Sequence, residues 1–207
     1  MSIKKHNCGT AVAINSPGNP DGKGANGLML DWQRTEPRGL VAKSQRQILA
    51  EFFTSMLILS AHFKYKPAVG VANFLYWVDG HWSLSLIAPE QWSEDHRHGY
   101  AGRCQLQSDM TWTIDPSDEM LQAGPLSEAV SGFFAAFADT LDSDLALEEI
   151  LPFYVRQMPY WQRMHANGLS RSIQGAVTLG SQTGISARDW HSCLLTSDQS
   201  GTPLLSQ

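Results

Sequence analysis

Five groups of residues in this sequence carry side chains able to do chemistry. The first is Asp95-His96-Arg97-His98, which strands could bring near His81 and Cys104. Imidazole and thiolate bind zinc, and Asp95 could ligate or orient a ligand. The spacing argues against it. His96 and His98 are two apart on a polar loop, not four apart on a helix face, and Arg97 between them opposes a cation. A solvated connection is the plainer reading. Zinc at His96 and His98 stands as the metal candidate, and no other cofactor is expected.

The second group is Phe74, Tyr76, His81, Ser83 and Ser85. Small polar groups beside aromatic rings can line a shallow ligand pocket. They can equally form the outer face of an antiparallel sheet, or a face covered by C-terminal helices. Cover is the reading preferred here. A serine nucleophile is not indicated, since no Gly-x-Ser-x-Gly elbow occurs. Third, Glu90 could serve as an acid or base, with Trp92 as a stacking platform. The structural reading is that Pro89 opens a helical turn, Glu90 suits its positive end and Trp92 packs.

The fourth group is the segment 116–155, which holds eight carboxylates and no base. With Phe133, Phe134 and Phe137 it forms an acidic amphipathic helical surface. Asp142, Asp144, Glu148 and Glu149 are its candidates for docking a basic protein partner. The plain alternative is a solvated face over a core-facing stripe. The fifth group interleaves Tyr154, Arg156, Tyr160, Trp161, Arg163 and His165. Such a run can stack on nucleic acid. Two arginines in an acidic protein are too few, so helix packing is expected, with Arg156 and Arg163 facing the acidic segment.

These side chains need elements to position them. Ser44 and Gln47 form a capping box. Apolar residues from Ile48 to Leu59 then recur at helical spacing, which predicts a helix over 44–64, stopped by Pro67 and Gly70. Val71–Val78 and Trp82–Ile87 read as a hairpin around Asp79-Gly80. That turn sets Trp77 opposite Trp82 and Leu75 opposite Leu84, on a face expected to pack on the helix. Tyr100–Gln107 and Met110–Ile114 read as a second hairpin turning at Ser108-Asp109. Leu126, Val130, Phe133, Phe134, Phe137 and Leu141 mark another helix, and Leu145–Ile150 a short one. Asn167-Gly168 reads as a helix stop.

The stretch from Phe63-Lys-Tyr-Lys-Pro67 and Gly70, through the Tyr76 strand and the Gly80 turn, continues to Leu84-Ser-Leu-Ile-Ala-Pro-Glu-Gln-Trp92. It closes with Leu106 and Asp109-Met-Thr-Trp112. This pattern resembles an uncharacterised family known as a domain of unknown function, with bacterial members and vertebrate relatives. The resemblance implies a shared α+β core. It implies no activity, and no catalytic residue is transferred from it.

Bulk properties bound the rest. The 207 residues carry a formal charge of −5, with 17% charged and 43% hydrophobic residues. That excludes a disordered chain and a strongly basic nucleic-acid binder. Three cysteines, an odd number far apart in sequence, argue against a disulfide framework and fit the cytoplasm. No apolar run reaches membrane-spanning length, and no secretion signal is read.

The organisation expected is an irregular leader over 1–43 and a core over 44–115. An acidic helical layer over 116–167 packs on that core, and a mostly irregular segment fills 168–207. The fold class is α+β: a long amphipathic helix on a four-stranded antiparallel meander, with a C-terminal helical layer. The function expected is non-enzymatic binding of a protein partner with a basic surface. The alternative is a small-ligand or metal site around His81, Ser83, His96 and His98.

Overall fold

A computed structural model describes residues 25–92, 99–151, 158–197 and residue 205. It divides into two units, residues 1–34 and 35–207. In the first, Ala25–Arg34 is a helix, α1, with Asp31 and Arg34 paired at 3.7 Å. The expected irregular leader is thus helical over these ten residues. The i,i+3 ion pair is a local reason for it.

The second unit is built on α2, Gln45–Ser60. The Ser44 hydroxyl accepts from the Gln47 amide, and Gln47 Oε1 accepts in return from the Ser44 amide at 3.0 Å. Nine of its sixteen residues are buried. The helix ends earlier than Pro67 would require. Beyond Ala61 the chain is extended, because His62 bridges in parallel to Ser83 at the edge of the sheet.

The sheet strands are β1, Ala72–Val78; β2, His81–Ser85; β3, Tyr100–Leu106; and β4, Trp112–Pro116. Asp79 and Gly80 both have positive φ, 50° and 77°. They set Trp77 opposite Trp82 and Leu75 opposite Leu84, as expected. All neighbours are antiparallel, in the order β2-β1-β3-β4. The order departs from a simple meander, since β3 pairs with β1. The cause is the connection after β2. A 3₁₀ turn, Pro89–Gln91, brings Trp92 against Tyr76, and the chain re-enters on the free edge of β1, where Trp77 N donates to Gly99 O at 2.7 Å.

Five more helices follow: α3, Asp118–Leu121; α4, Pro125–Thr140; α5, Leu147–Ile150; α6, Tyr160–Leu179; and α7, Ala187–Ser197. α2 packs on β4 and β2 on one side and contacts α4, α6 and α7. Phe52 and Phe53 meet Phe137 at ring centroid distances of 5.2 and 5.4 Å. Leu75, Trp82, Leu84, Trp112 and Ile114 close the same core from the sheet.

Two expectations fail in this region. Asn167-Gly168 does not stop a helix, and 168–207 is not mostly irregular, because α6 runs on to Leu179 and α7 begins at Ala187. Gly168 serves close approach instead. A Cβ there would lie 2.7 Å from the Thr35 carbonyl oxygen and 2.9 Å from Met110 Cγ. The helix keeps a glycine so that the tip of the β3–β4 hairpin can lie against it.

Candidate functional site

Register places Phe74, Tyr76, His81, Ser83 and Ser85 on one sheet face, but they do not converge on a cleft. Tyr76 is 3% exposed; its hydroxyl donates to Ile87 O at 2.9 Å, and its ring meets Trp92 and Tyr100. Burial pushes its phenol up to about 12, so it holds its proton. Ser85 Oγ accepts from Ile87 N. Both side chains are spent on fixing the 86–92 connection. His81 lies at the opposite end of β2, exposed, its ring 5.0 Å from that of His62. The expected cover by the C-terminal helices is therefore corrected. Those helices pack on α2, and Tyr76 is covered by Trp92 and Tyr100.

His96 and His98 lie outside the described residues. Cys104 does not join His81: it is fully buried in the core, and burial pushes its thiol up. No group of three or more metal-ligating side chains forms among the described residues.

The four acidic candidates are engaged within the chain. Arg188 Nε donates to Asp142 at 2.8 Å, and its Nη1 donates to Asp144. Glu148 Oε1 accepts from Gly184 N at 2.8 Å, and Glu149 accepts from Ala146 N at the start of α5. Ala146 also bridges antiparallel to Ser186. Asp142, Asp144 and Glu148 hold segment 142–149 to segment 184–189, while Glu149 caps its own helix. Arg188 is the base that meets Asp142 and Asp144; Arg163 forms no such pair among the described residues, and Arg156 lies outside them.

Among the described residues, two concave sites stand out. The first, about 520 Å³, is lined by Trp77, Val78 and Asp79 at the β1–β2 turn, by Gly99, and by Glu119 and residues 122–126 at the entry to α4. It places an indole-bearing residue and two exposed carboxylates on one cleft. No cation among the described residues engages Asp79 or Glu119. The second, about 400 Å³, lies between His62, Phe63 and Lys64 after α2 and Pro159–Gln162 at the start of α6.

A third cluster is polar and half-buried. Lys43 Nζ lies 2.6 Å from Glu51 and 2.8 Å from Asp109. Asp109 also accepts from the Thr111 amide and hydroxyl. Burial alone would raise the Asp109 carboxyl, but the hydrogen bonds from Lys43 and Thr111 outweigh it and hold it below 3.8. For Glu51 burial wins, and the carboxyl is raised above 4.5. The cluster clamps the segment entering α2 to the β3–β4 turn, which accounts for its geometry without a ligand.

Residues 39–126 match the model of a family described as a protein of unknown function, DUF2452. The match spans α2, the sheet, α3 and the first residues of α4, and includes the stretch whose resemblance carried the sequence reading. No curated protein and no solved structure matches the chain. Every lining residue of the Trp77–Glu119 cleft falls inside the matched segment, as does the Lys43–Glu51–Asp109 clamp. Pro159–Gln162 fall outside it. Sequence reasoning missed the cleft because Asp79 read as a turn residue and Glu119 as one acid among eight. The turn after β2 brings the chain to Gly99 and so to Trp77, a pairing that no local pattern encodes.

Proposed function

We propose that this chain is a cytoplasmic binding protein without catalytic activity, which takes a basic side chain of a protein partner into the Trp77–Glu119 cleft. The observation that carries this reading is the placement of Asp79 and Glu119 beside Trp77 on one concave surface. Two carboxylates and an indole suit a guanidinium or ammonium group, through charge-assisted hydrogen bonds and cation–π contact. The same chemistry disfavours nucleic acid. The acidic docking surface expected from sequence moves to this cleft, since Arg188 already occupies Asp142 and Asp144. The buried reactive groups support binding over catalysis. Cys104 is held as thiol, Tyr76 as phenol, and Lys43 lies between two carboxylates.

The test is isothermal titration of the full chain with acetyl-Gly-Arg-Gly-amide and its citrulline counterpart, which is isosteric and neutral. The arginine peptide is expected to bind more tightly, and Asp79→Asn with Glu119→Gln to abolish the difference. Equal binding of the two peptides overturns the reading.

A further inference from the structure

His62 and His81 are nineteen positions apart in sequence, and the fold sets them side by side. The chain leaving α2 adds to the edge of β2 as a parallel bridge, with His62 opposite Ser83. His62 N donates to Trp82 O at 2.8 Å, and Leu84 N donates to His62 O at 3.0 Å. Side chains on a strand alternate between faces, so His62 shares a face with Ser83 and with His81, two residues before it. Ser83 is small, which leaves room for the two rings to approach. Their centroids lie 5.0 Å apart, with the planes inclined by 38°. Both residues are exposed, so this ring pair meets solvent.

That separation has a chemical meaning. Two imidazoles on one tetrahedral ion, each nitrogen about 2.0–2.1 Å from it, place their ring centroids about 5 Å apart. A second observation concerns the other ring nitrogen. His81 Nδ1 lies 3.4 Å from Asp79 O. A carbonyl oxygen only accepts, so this contact puts the proton on Nδ1 and leaves the lone pair on Nε2. Metal-bound histidines are oriented in this way, with the second ring N–H on a backbone carbonyl. Both main chains are held by strand hydrogen bonds, which positions a site better than a loop does.

We propose that His62 and His81 form a two-imidazole site for a divalent transition-metal ion of the zinc, nickel or copper class. Imidazole donors suit these ions, whereas magnesium and calcium want oxygen ligands. Water completes the coordination, and the ion ties the segment after α2 to β2. The site is separate from the Trp77–Glu119 cleft, because Asp79 contributes only its main-chain oxygen.

The experiment titrates the full-length protein with zinc chloride and follows the imidazole nitrogen resonances. The first equivalent is expected to shift those of His62 and His81 together, and magnesium chloride to shift neither. Zinc should also raise Tm, since the pair is assembled only in the folded chain. His62→Ala and His81→Ala, both surface changes, should each weaken zinc binding roughly tenfold or more, because losing even an outer partner of a metal ligand costs about that much. Each should abolish the rise in Tm. The proposal is overturned if the first equivalent moves other histidines and leaves these two in place, or if either variant binds zinc as tightly as wild type. A rise in Tm that survives in both variants, or equal shifts with magnesium, overturns it as well.

Discussion

At the scale of single residues, His165 is a buried imidazole whose environment sets a pH dependence near neutrality. It is 2% exposed on α6, and neither ring nitrogen has a partner among the described residues. Burial, and secondarily the charge of Lys66, lower its pKa from 6.5 to about 4. The unfolded chain therefore takes up a proton between these values that the folded chain does not, and stability falls as pH falls through that window. Between about pH 7 and about pH 5 the loss should be about 2 kcal/mol. Urea unfolding at the two pH values measures it, and His165→Leu should flatten the dependence. A wild-type stability independent of pH over this range would contradict the burial of a neutral imidazole. Asp109 acts with the same sign lower down. Its depressed pKa contributes stability that is present above 3.8 and lost as pH falls below it. Asp109→Asn should cost about 2 kcal/mol at neutral pH, because Lys43 and Thr111 lose a charged acceptor. The gap to wild type should narrow in acid, again read by urea unfolding.

At the scale of elements, two helical glycines separate propensity from packing. Gly132 in α4 has nothing within 4 Å of an added Cβ, while Gly168 in α6 meets a backbone oxygen and Met110. Gly132→Ala should stabilise by about 0.5–1 kcal/mol through helix propensity alone. Gly168→Ala gains the same propensity, but the hairpin tip must move, and a net loss of about 1–3 kcal/mol is expected. Thermal unfolding of the two variants gives the comparison directly. The pair also shows what was legible beforehand. Ser44 with Gln47, Asp79-Gly80 and the Phe133–Phe137 stripe are local signals, and each forms as read. Gly168 has the composition of a stop and the position of a packing contact; only the distant Thr35 and Met110 distinguish the two. The surroundings of the acidic candidates were hidden for a similar reason. Asp142 and Asp144 looked available until Arg188, more than forty residues on, came to lie between them.

At the scale of the whole molecule, the charge is segregated in space as well as in sequence. The Trp77–Glu119 cleft presents carboxylates, and the described residues lining the cleft at the start of α6 include none. The family match bears on this arrangement, because it stops at residue 126, two residues into α4. The matched segment includes α2 and the whole sheet, yet α2 is buried on faces that β4 and β2 cannot cover. Phe52 and Phe53 meet Phe137, and α6 and α7 pack on the same helix. Full burial of each large apolar side chain contributes about 1.5–3 kcal/mol. Net domain stability is only about 5–15 kcal/mol, so exposing several of them removes most of it. A fragment of residues 35–126 should therefore lack cooperative thermal unfolding and bind a hydrophobic dye, while residues 35–197 should melt in a single transition. If the shorter fragment melts cooperatively with dispersed amide resonances, the helices after residue 126 do not complete the core of the matched segment.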